Sequence, residues 1–438
     1  MQEIKNLKPN IVWFMIDSFR PFLLSPLEEG KEVTFIDELT KKGVFFEQCI
    51  TAAPYTIASE HAIFTGLYPS VNKLDGWFKN TPDDLDKKVV TFTDILKAEG
   101  YFTAAFFPKR SRPFLPPYSF DHFQLVRSPD EFSIDAYLSA SSPKFAIIIL
   151  EEVHDTCCQN AGKFDKEKYY QSVKESAERV KYFYEKCCKE EDIVVITSDH
   201  GIRVIGEPTS DNHRDELVAG KFLTDKTTRT FFTVIAKDKI APGARIKEQV
   251  RTIDIAPTIL DLAGLPILKG QGISLLPYLK EEGKWPETPA FIVTGGMETS
   301  LWRPDTWGIR IPKWKFILTK IKKSFLKTIY RQELYDIEHD PAEIRNVIQD
   351  FPEVANSLFG KMKEMLLENP KTVEDYYREN GFDYQKYLKA RIYPFRLKLE
   401  LWLRTLFACK LFLHPKVQLG VARIKIRKFL KRKFGIKI

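Results

Sequence analysis

Short runs of almost continuous apolar residues recur along the chain. The first is Asn10-Ile-Val-Trp-Phe-Met-Ile-Asp17, which ends in a carboxylate. Runs of this length without polar alternation are typical of parallel strands that are buried on both faces of a sheet. Further runs of the same kind lie at 44–49, 102–107, 145–150, 192–197 and 230–236.

Helical patterns separate several of these runs. They cover 89–98, 166–188 and 252–263, and Gly264-Leu-Pro266 ends the last of them. Because strands and helices alternate, the pattern predicts an α/β fold in which a large, mostly parallel sheet is flanked by helices. We assign residues 1–284 to this main domain.

The pattern changes after residue 284. Short strand-like segments predict a smaller C-terminal antiparallel α+β subdomain over residues 285–350. Helical patterns then predict a helical extension over residues 351–388. The strand-like segments lie at 290–294, 307–311 and 315–318, and the helical ones at 352–367 and 374–391.

The formal net charge of +8 combines two parts of opposite sign. Residues 389–438 hold fifteen Lys and Arg against one acid, Glu400, which gives this tail +14 and leaves the rest of the chain at −6. Bulky apolar residues such as Trp402 and Phe412 are interleaved with the bases. This mixture favours an amphipathic segment on an anionic membrane surface. A helix docked on the body is the alternative, and a nucleic-acid arm is the least favoured.

Composition narrows the class of protein. A hydrophobic content of 44% and a charged content of 29% exclude a disordered chain. No apolar run is long enough for a transmembrane helix, and the first residues lack a signal-peptide core. We therefore expect a cytoplasmic location, peripheral on the inner membrane face if the tail binds lipid. The six cysteines lack zinc-site spacing, and we expect reduced thiols.

Possible metal ligands follow two of the predicted strands. Asp17-Ser18 ends the first strand, and Ser198-Asp199-His200-Gly201 follows the strand at 192–197. Ligands of open α/β sheets bind beyond the carboxyl ends of the strands. One such Asp alone is more often a cap or turn residue, but the two sites together offer oxygen and nitrogen donors for a divalent cation.

A third segment resembles a known family. It reads Thr51-Ala-Ala-Pro-Tyr-Thr56-Ile-Ala-Ser59-Glu60-His61-Ala-Ile-Phe-Thr65-Gly66-Leu-Tyr-Pro69. It is similar to the sulfatase branch of the alkaline-phosphatase superfamily, in which a nucleophile opens a helix and a Thr-Gly-x-Tyr-Pro stretch follows. The resemblance places Thr56 at the nucleophile position. It continues in order through the Asp17 strand, the Asp199-His200-Gly201 turn, 251–266, 272–279, 333–341 and Asn346.

The resemblance implies a metal-dependent hydrolase of sulfate or phosphate esters that forms a covalent intermediate on Thr56. Asp17, Asp199, His200 and Thr56 would hold a divalent metal, which could be zinc, manganese or calcium. A metal can activate a hydroxyl that is otherwise a poor nucleophile. The free N–H groups at a helix start also favour an anionic group. In the alternative interpretation, Thr56 or Ser59 only caps the helix.

Three further residues, His154, His213 and Lys109, match positions that serve the reaction in the family, and His61 sits one residue off such a position. His154 would act as general acid on the leaving oxygen, unless it is a surface loop residue. His213 would serve a second metal or the substrate. His61 and Lys109 would bind the substrate, with a helix-face residue and a solvated base as the alternatives.

The segment also departs from the family. Sulfatases of the usual kind carry a Cys or Ser that is oxidised to formylglycine in a Cys-x-Pro-x-Arg setting, whereas this chain has Thr56, Ala58 and Glu60. Threonine cannot form that aldehyde, so water or an acceptor must attack phosphorus or sulfur, and this favours phosphate. Asp17-Ser18 also replaces a tandem Asp-Asp, which makes zinc or manganese more plausible without excluding calcium.

Three hypotheses therefore stand. The first is an ester hydrolase, and the second is a phosphotransferase that moves a phospho-head group onto a lipid-linked or sugar acceptor at the membrane face. The third is a catalytically dead binding module. The expected substrate is an anionic small molecule, a glycan or a lipid-linked ester.

Overall fold

A computed structural model describes most of the chain. The described residues are 8–21, 33–75, 85, 88–108, 120–126, 128–159, 166–202, 222–294, 305–322, 328–365 and 371–389.

Eight strands form the large sheet, in the order β4-β3-β5-β1-β6-β7-β2-β8. All neighbours are parallel except at β7, which runs antiparallel to both β6 and β2. The predicted mostly parallel sheet is therefore confirmed. The strands are β1 (Ile11–Ile16), β2 (Val44–Ile50), β3 (Phe102–Pro108), β4 (His122–Val126), β5 (Lys144–Leu150), β6 (Ile193–Thr197), β7 (Arg229–Ile235) and β8 (Arg245–Arg251).

Helices cover both faces of this sheet. Alternate residues of β1 belong to different cores: Trp13 packs in one cluster and Phe14 in the other. The continuous apolar run of β1 reflects this two-sided burial. The helices up to residue 280 are α1 (Phe35–Lys42), α2 (Thr56–Thr65), α3 (Pro69–Asn72), α4 (Phe92–Ala98), α5 (Asp135–Ser139), α6 (Glu152–Gln159), α7 (Lys166–Cys187), α8 (Asp225–Thr228), α9 (Ile255–Leu262) and α10 (Leu276–Leu279).

The smaller sheet is fully antiparallel, which confirms the predicted subdomain. Its order is β12-β11-β10-β9. Helix α11 (Pro352–Lys363) packs on it through Leu358 and Met362, which share a core with Phe316. The strands are β9 (Ala290–Thr294), β10 (Thr306–Arg310), β11 (Trp314–Lys322) and β12 (Thr328–Asp336).

The single helix predicted over 374–391 is wrong. The structure has two short helices, α12 (Val373–Glu379) and α13 (Tyr384–Leu388). Between them Gly381 has a φ of +61°, a left-handed conformation that ends a helix. The extension packs on the main domain, where the hydroxyl of Tyr377 accepts a hydrogen bond from the Val90 amide at 3.0 Å.

The described residues contain no helix that is long and apolar enough to cross a membrane. Among the described residues, Cys49, Cys187 and Cys188 are free thiols. The basic tail beyond Lys389 lies outside the described residues, so its binding to a membrane remains a prediction.

Candidate active site

Three neighbouring strands end in carboxylates at one edge of the large sheet. Glu151 follows β5, Asp17 follows β1, and Asp199 follows β6 by two residues. The amide of Asp17 still donates to the carbonyl of Leu150 at 2.9 Å, so the sheet pairing continues up to the carboxylate. Parallel neighbours thus bring side chains from distant parts of the sequence to one place.

Asp17, Asp199 and His200 form a buried cluster. One ligand atom from each lies within 4.8 Å of the others. The Nε2 atom of His200 is 3.3 Å from Oδ2 of Asp199 and 3.7 Å from Oδ1 of Asp17. These are three of the four side chains that the sequence predicts as metal ligands, and Thr56 is the fourth.

Thr56 lies against the same cluster. It is the first residue of α2, and the N-cap is Tyr55, whose side chain does not cap the helix. The Thr56 hydroxyl is 3.4 Å from Oδ2 of Asp17 and 3.3 Å from Nε2 of His200. Ser59 donates to the carbonyl of Asp199 at 2.6 Å. The capping alternative therefore fails for both hydroxyls.

Ser18 orients the two carboxylates, a role that the sequence did not predict. Its φ of +65° is rare outside glycine and costs free energy, so the surrounding contacts must hold it. In this conformation its amide donates to Oδ1 of Asp199 at 3.1 Å, and its hydroxyl donates to Oδ1 of Asp17 at 2.7 Å. The residue that replaces the family's second Asp thus fixes the remaining carboxylates.

The ring of His200 has a defined orientation. Its Nδ1 atom lies 2.8 Å from the carbonyl oxygen of Gly201. A carbonyl only accepts, so Nδ1 carries the proton and the lone pair of Nε2 faces Thr56 and the carboxylates in the neutral ring. Such a ring is ready to bind a cation.

The electrostatics of the cluster fit a bound cation. Oδ1 of Asp199 accepts two backbone hydrogen bonds, from Ser18 and His200, but Oδ2 is buried without a hydrogen-bond donor among the described residues. Burial, and next the neighbouring Asp17, raise the pKa of Asp199 to about 6. Leaving a buried charged oxygen without a partner is costly. A divalent cation bound by carboxylate oxygens and a neutral imidazole would remove that cost.

Glu60 lies one helical turn after Thr56 on α2. The residue is 2% exposed, and the described residues place no hydrogen-bond donor on its Oε2 atom. Burial raises its pKa well above the usual range, and the charges of Asp199, Asp17 and Glu151 add to the rise. The sequence showed Glu60 only as a departure from the family pattern.

Of the other predicted site residues, the structure describes His61 and His154. His61 is buried, its Nδ1 lies 2.6 Å from the carbonyl of Ile57 in its own helix, and burial lowers its pKa to about 4. His154 lies on α6, not in a loop, with its side chain 38% exposed. Their roles toward the substrate stay predictions. His213 and Lys109 lie outside the described residues.

Comparison with protein families agrees with this arrangement. The model described as Sulfatase matches residues 9–124 and 132–265, which is more than half of the chain. A second model, described as N-sulphoglucosamine sulphohydrolase, C-terminal, matches residues 216–372. The chain therefore belongs to the sulfatase family, in the sulfatase branch of the alkaline-phosphatase superfamily.

The individual proteins that match this chain are also sulfatases, at low sequence identity. Arylsulfatase K of Gallus gallus is 22% identical over 87% of this chain and 87% of its own length. Matches to arylsulfatase K of five other vertebrates are shorter and cover 28 to 35% of those proteins.

Two solved structures share the fold. One is a protein in complex with its substrate D-glucosamine-2-N,6-O-disulfate, with a TM-score of 0.63, 17% identity, and coverage of 85% of this chain and 99% of that chain. The other is the phosphonate monoester hydrolase of Agrobacterium radiobacter, with a TM-score of 0.61, 16% identity, and coverage of 81% and 94%. The fold alone therefore does not separate sulfur from phosphorus esters.

Proposed function

We propose that this chain is a metal-dependent hydrolase of sulfate esters that uses Thr56 as its nucleophile and forms a covalent intermediate. The main support is the position of the Thr56 hydroxyl at the start of a buried helix. It caps nothing and faces Asp17 and His200 at hydrogen-bond distance.

Each residue of the cluster has a role in this proposal. Asp17, Asp199, His200 and Thr56 would hold a divalent cation, which supplies positive charge beside the hydroxyl and the sulfuryl oxygens when it is bound. Asp17 lies close enough to take the proton of the Thr56 hydroxyl. The N–H groups of the first turn of α2 would favour an anionic group bound beside Thr56.

The reaction then has two displacement steps. In the first, the Thr56 oxygen bonds to sulfur, the bond between sulfur and the ester oxygen breaks, and its electron pair leaves with the alcohol. A proton donor such as His154 would neutralise that oxygen. In the second, water attacks sulfur and releases sulfate from Thr56, because threonine has no aldehyde hydrate through which sulfate could be eliminated.

Sugar sulfates are the substrate class that we propose. The relatives named above include an arylsulfatase, and one structural neighbour was solved with a disulfated glucosamine as its substrate. A phosphate or phosphonate monoester is the second candidate, because Thr56 cannot become formylglycine and the phosphonate monoester hydrolase shares the fold. The comparisons give no support to the phosphotransferase hypothesis.

A substrate panel tests the proposal. The chain would be loaded separately with zinc, manganese and calcium and assayed on an aryl sulfate, a glucosamine sulfate, a phosphate monoester and a phosphonate monoester. We expect the highest kcat/KM on a sulfate ester. A preference for a phosphorus ester would favour the second candidate, and a chain that is inert on all four would favour the binding module.

Variants of Thr56 test the nucleophile. Thr56→Ala should lower kcat at least about a thousand-fold with folding and metal content nearly unchanged, since nucleophile removal acts on the chemical step. Thr56→Ser keeps a hydroxyl and should retain measurable turnover. Thr40→Ala is the matched control, because Thr40 is a buried helical threonine whose hydroxyl donates to the Asp37 carbonyl within α1. A Thr56→Ala rate within a few-fold of wild type would exclude Thr56 as the nucleophile.

A further inference from the structure

Glu60 is placed beside the nucleophile by the geometry of α2. Residues four apart lie on the same face of a helix, so the Glu60 side chain lies next to that of Thr56. Every residue of α2 is buried, which keeps the Glu60 carboxyl inside the protein. The charged groups that act on it belong to three strand ends, at Asp17, Glu151 and Asp199. Glu60 therefore adds a carboxyl from the helix to those from the sheet.

The Glu60 carboxyl is costly to bury as it stands. Its Oε2 atom has no hydrogen-bond donor among the described residues, so burial removes its contact with water without replacing it. Native proteins rarely keep such a group unless it has a task. A donor that arrives with the reaction, such as water or substrate, would satisfy this oxygen.

The metal cluster does not account for Glu60. The group whose ligand atoms all lie within 4.8 Å of one another contains Asp17, Asp199 and His200, and Glu60 is not a member. Because helix geometry puts Glu60 on the face of α2 that carries Thr56, its carboxyl is available to a water molecule that attacks the Thr56 ester.

We propose that Glu60 is the catalytic residue that activates the water which cleaves the Thr56 ester. This inference rests on the proposed function. The water oxygen bonds to sulfur, the bond from sulfur to the Thr56 oxygen breaks, and its electron pair returns to Thr56. The proton that the water loses passes to the Glu60 carboxylate and then to the Thr56 oxygen. No oxidant or further reactant is needed.

The proposal explains why two departures from the family occur together. A formylglycine hydrate releases sulfate by elimination, but a threonine ester must be attacked by water. Such an attack benefits from a base near the ester, and an Arg at position 60 could not accept a proton. Thr56 and Glu60 are therefore complementary: the first creates the need for a base, and the second supplies it one helical turn away.

Glu60→Gln separates the two steps of the reaction. The amide has nearly the same shape as the carboxylate but cannot take a proton. With an aryl sulfate in rapid mixing, we expect a burst of about one phenol per enzyme, followed by turnover that is about 10²- to 10⁴-fold slower than wild type. Intact-protein mass spectrometry should find sulfated protein, with the sulfate mapped to Thr56. The double variant with Thr56→Ala should show neither burst nor sulfated protein.

Two further variants distinguish the loss of a base at position 60 from a general disturbance of the structure. Glu60→Ala leaves space for a small carboxylate, so added formate should raise its steady-state rate and should not do so in Glu60→Gln. Glu99→Gln removes a partly exposed acid that pairs with Lys8 and Lys386, and it should behave as wild type.

The outcomes distinguish this inference from the proposed function. A Glu60→Gln enzyme with wild-type turnover would overturn the role of Glu60 and leave Thr56 as nucleophile. The same holds if burst and steady state fall together and formate does not rescue Glu60→Ala. A wild-type chain that never becomes sulfated and hydrolyses no ester would overturn the proposed function, and the role of Glu60 with it.

Discussion

At the scale of single residues, Ser18 orients the metal cluster through a left-handed backbone conformation. Its hydrogen bonds to Asp17 and Asp199 exist only after β1 and β6 have paired. No local pattern of a serine predicts that conformation. The ends of the apolar runs, by contrast, indicated Asp17, Asp199 and His200, and the resemblance to the sulfatase branch indicated Thr56.

Metal binding is tested at this scale. Asp199→Ala should lower both metal content and stability, because an ion that binds only the folded chain stabilises it by mass action, by about 2.7 kcal/mol at a hundredfold excess over Kd. Plasma emission would give the metal content, and thermal melting with and without chelator would give the stability. Asp17→Ala and His200→Ala should behave in the same way.

The chelator comparison has a clear control. Chelator should lower the melting temperature of the wild type and of Asp238→Asn, which changes an exposed carboxylate far along the chain from the cluster. It should not change the melting temperature of Asp199→Ala. Unchanged metal content in all three cluster variants would show that the ion, if any, binds elsewhere.

At the scale of elements, the central strands of the large sheet were predicted and its two edge strands, β4 and β8, were not. Strands β1, β5 and β6 are buried on both faces and form continuous apolar runs. The edge strand β8 reads Arg-Ile-Lys-Glu-Gln-Val-Arg and is half exposed, so its hydrogen bonding to β2 decides its structure and its composition does not. The order of the strands likewise depends on contacts between distant segments.

The turn after His200 depends on helix α8. The amide of Gly201 donates to the carbonyl of Thr227 at 3.0 Å. A β-carbon at Gly201 would collide with the carbonyl oxygen of Lys226. Because the Gly201 carbonyl holds the His200 ring, this close approach sets the position of a predicted metal ligand.

Gly201→Ala should therefore move His200. We expect a loss of about 1–3 kcal/mol in the free energy of unfolding, as for other steric insertions into packed sites, together with weaker metal binding. Gly360→Ala is the control, because Gly360 lies inside α11 with open space where a β-carbon would be. That change should be neutral or should stabilise by about 0.5–1 kcal/mol. Equal behaviour of the two variants in denaturant unfolding and metal titration would contradict the role of the turn.

At the scale of the whole molecule, a buried charge network joins the two sheets. Asp225 of α8 is paired with Arg310 of β10 at 3.0 Å and also with Lys315 of β11. Lys315 is also 2.8 Å from Glu343, which follows β12. The sequence could not predict this network. Its members are far apart in the chain, and each one taken alone would be expected at the surface.

The network acts on the active site through α8. Burial acts to raise the pKa of Asp225, but Arg310 and Lys315 outweigh it and hold the pKa below its usual range. Asp225 thus contributes stability above its unfolded-state pKa of about 3.9, and this is lost as pH falls through the lower folded-state pKa. The antiparallel subdomain therefore fixes α8, and α8 fixes the turn that carries His200.

Lys315→Met tests this connection between subdomain and site. Lys315 is fully buried, and its removal takes the cation from the buried Glu343 while Asp225 keeps Arg310. Breaking a buried ion pair costs about 3–5 kcal/mol. Urea unfolding should show that loss, and the remaining folded protein should bind metal more weakly because α8 is no longer held. Lys313→Met, next to the same strand, removes a base that is 43% exposed and should change stability by less than about 1 kcal/mol. If the two variants unfold at the same urea concentration, the network does not hold the sheets together. If Lys315→Met is destabilised but binds metal as wild type does, the subdomain stabilises the fold without positioning the site.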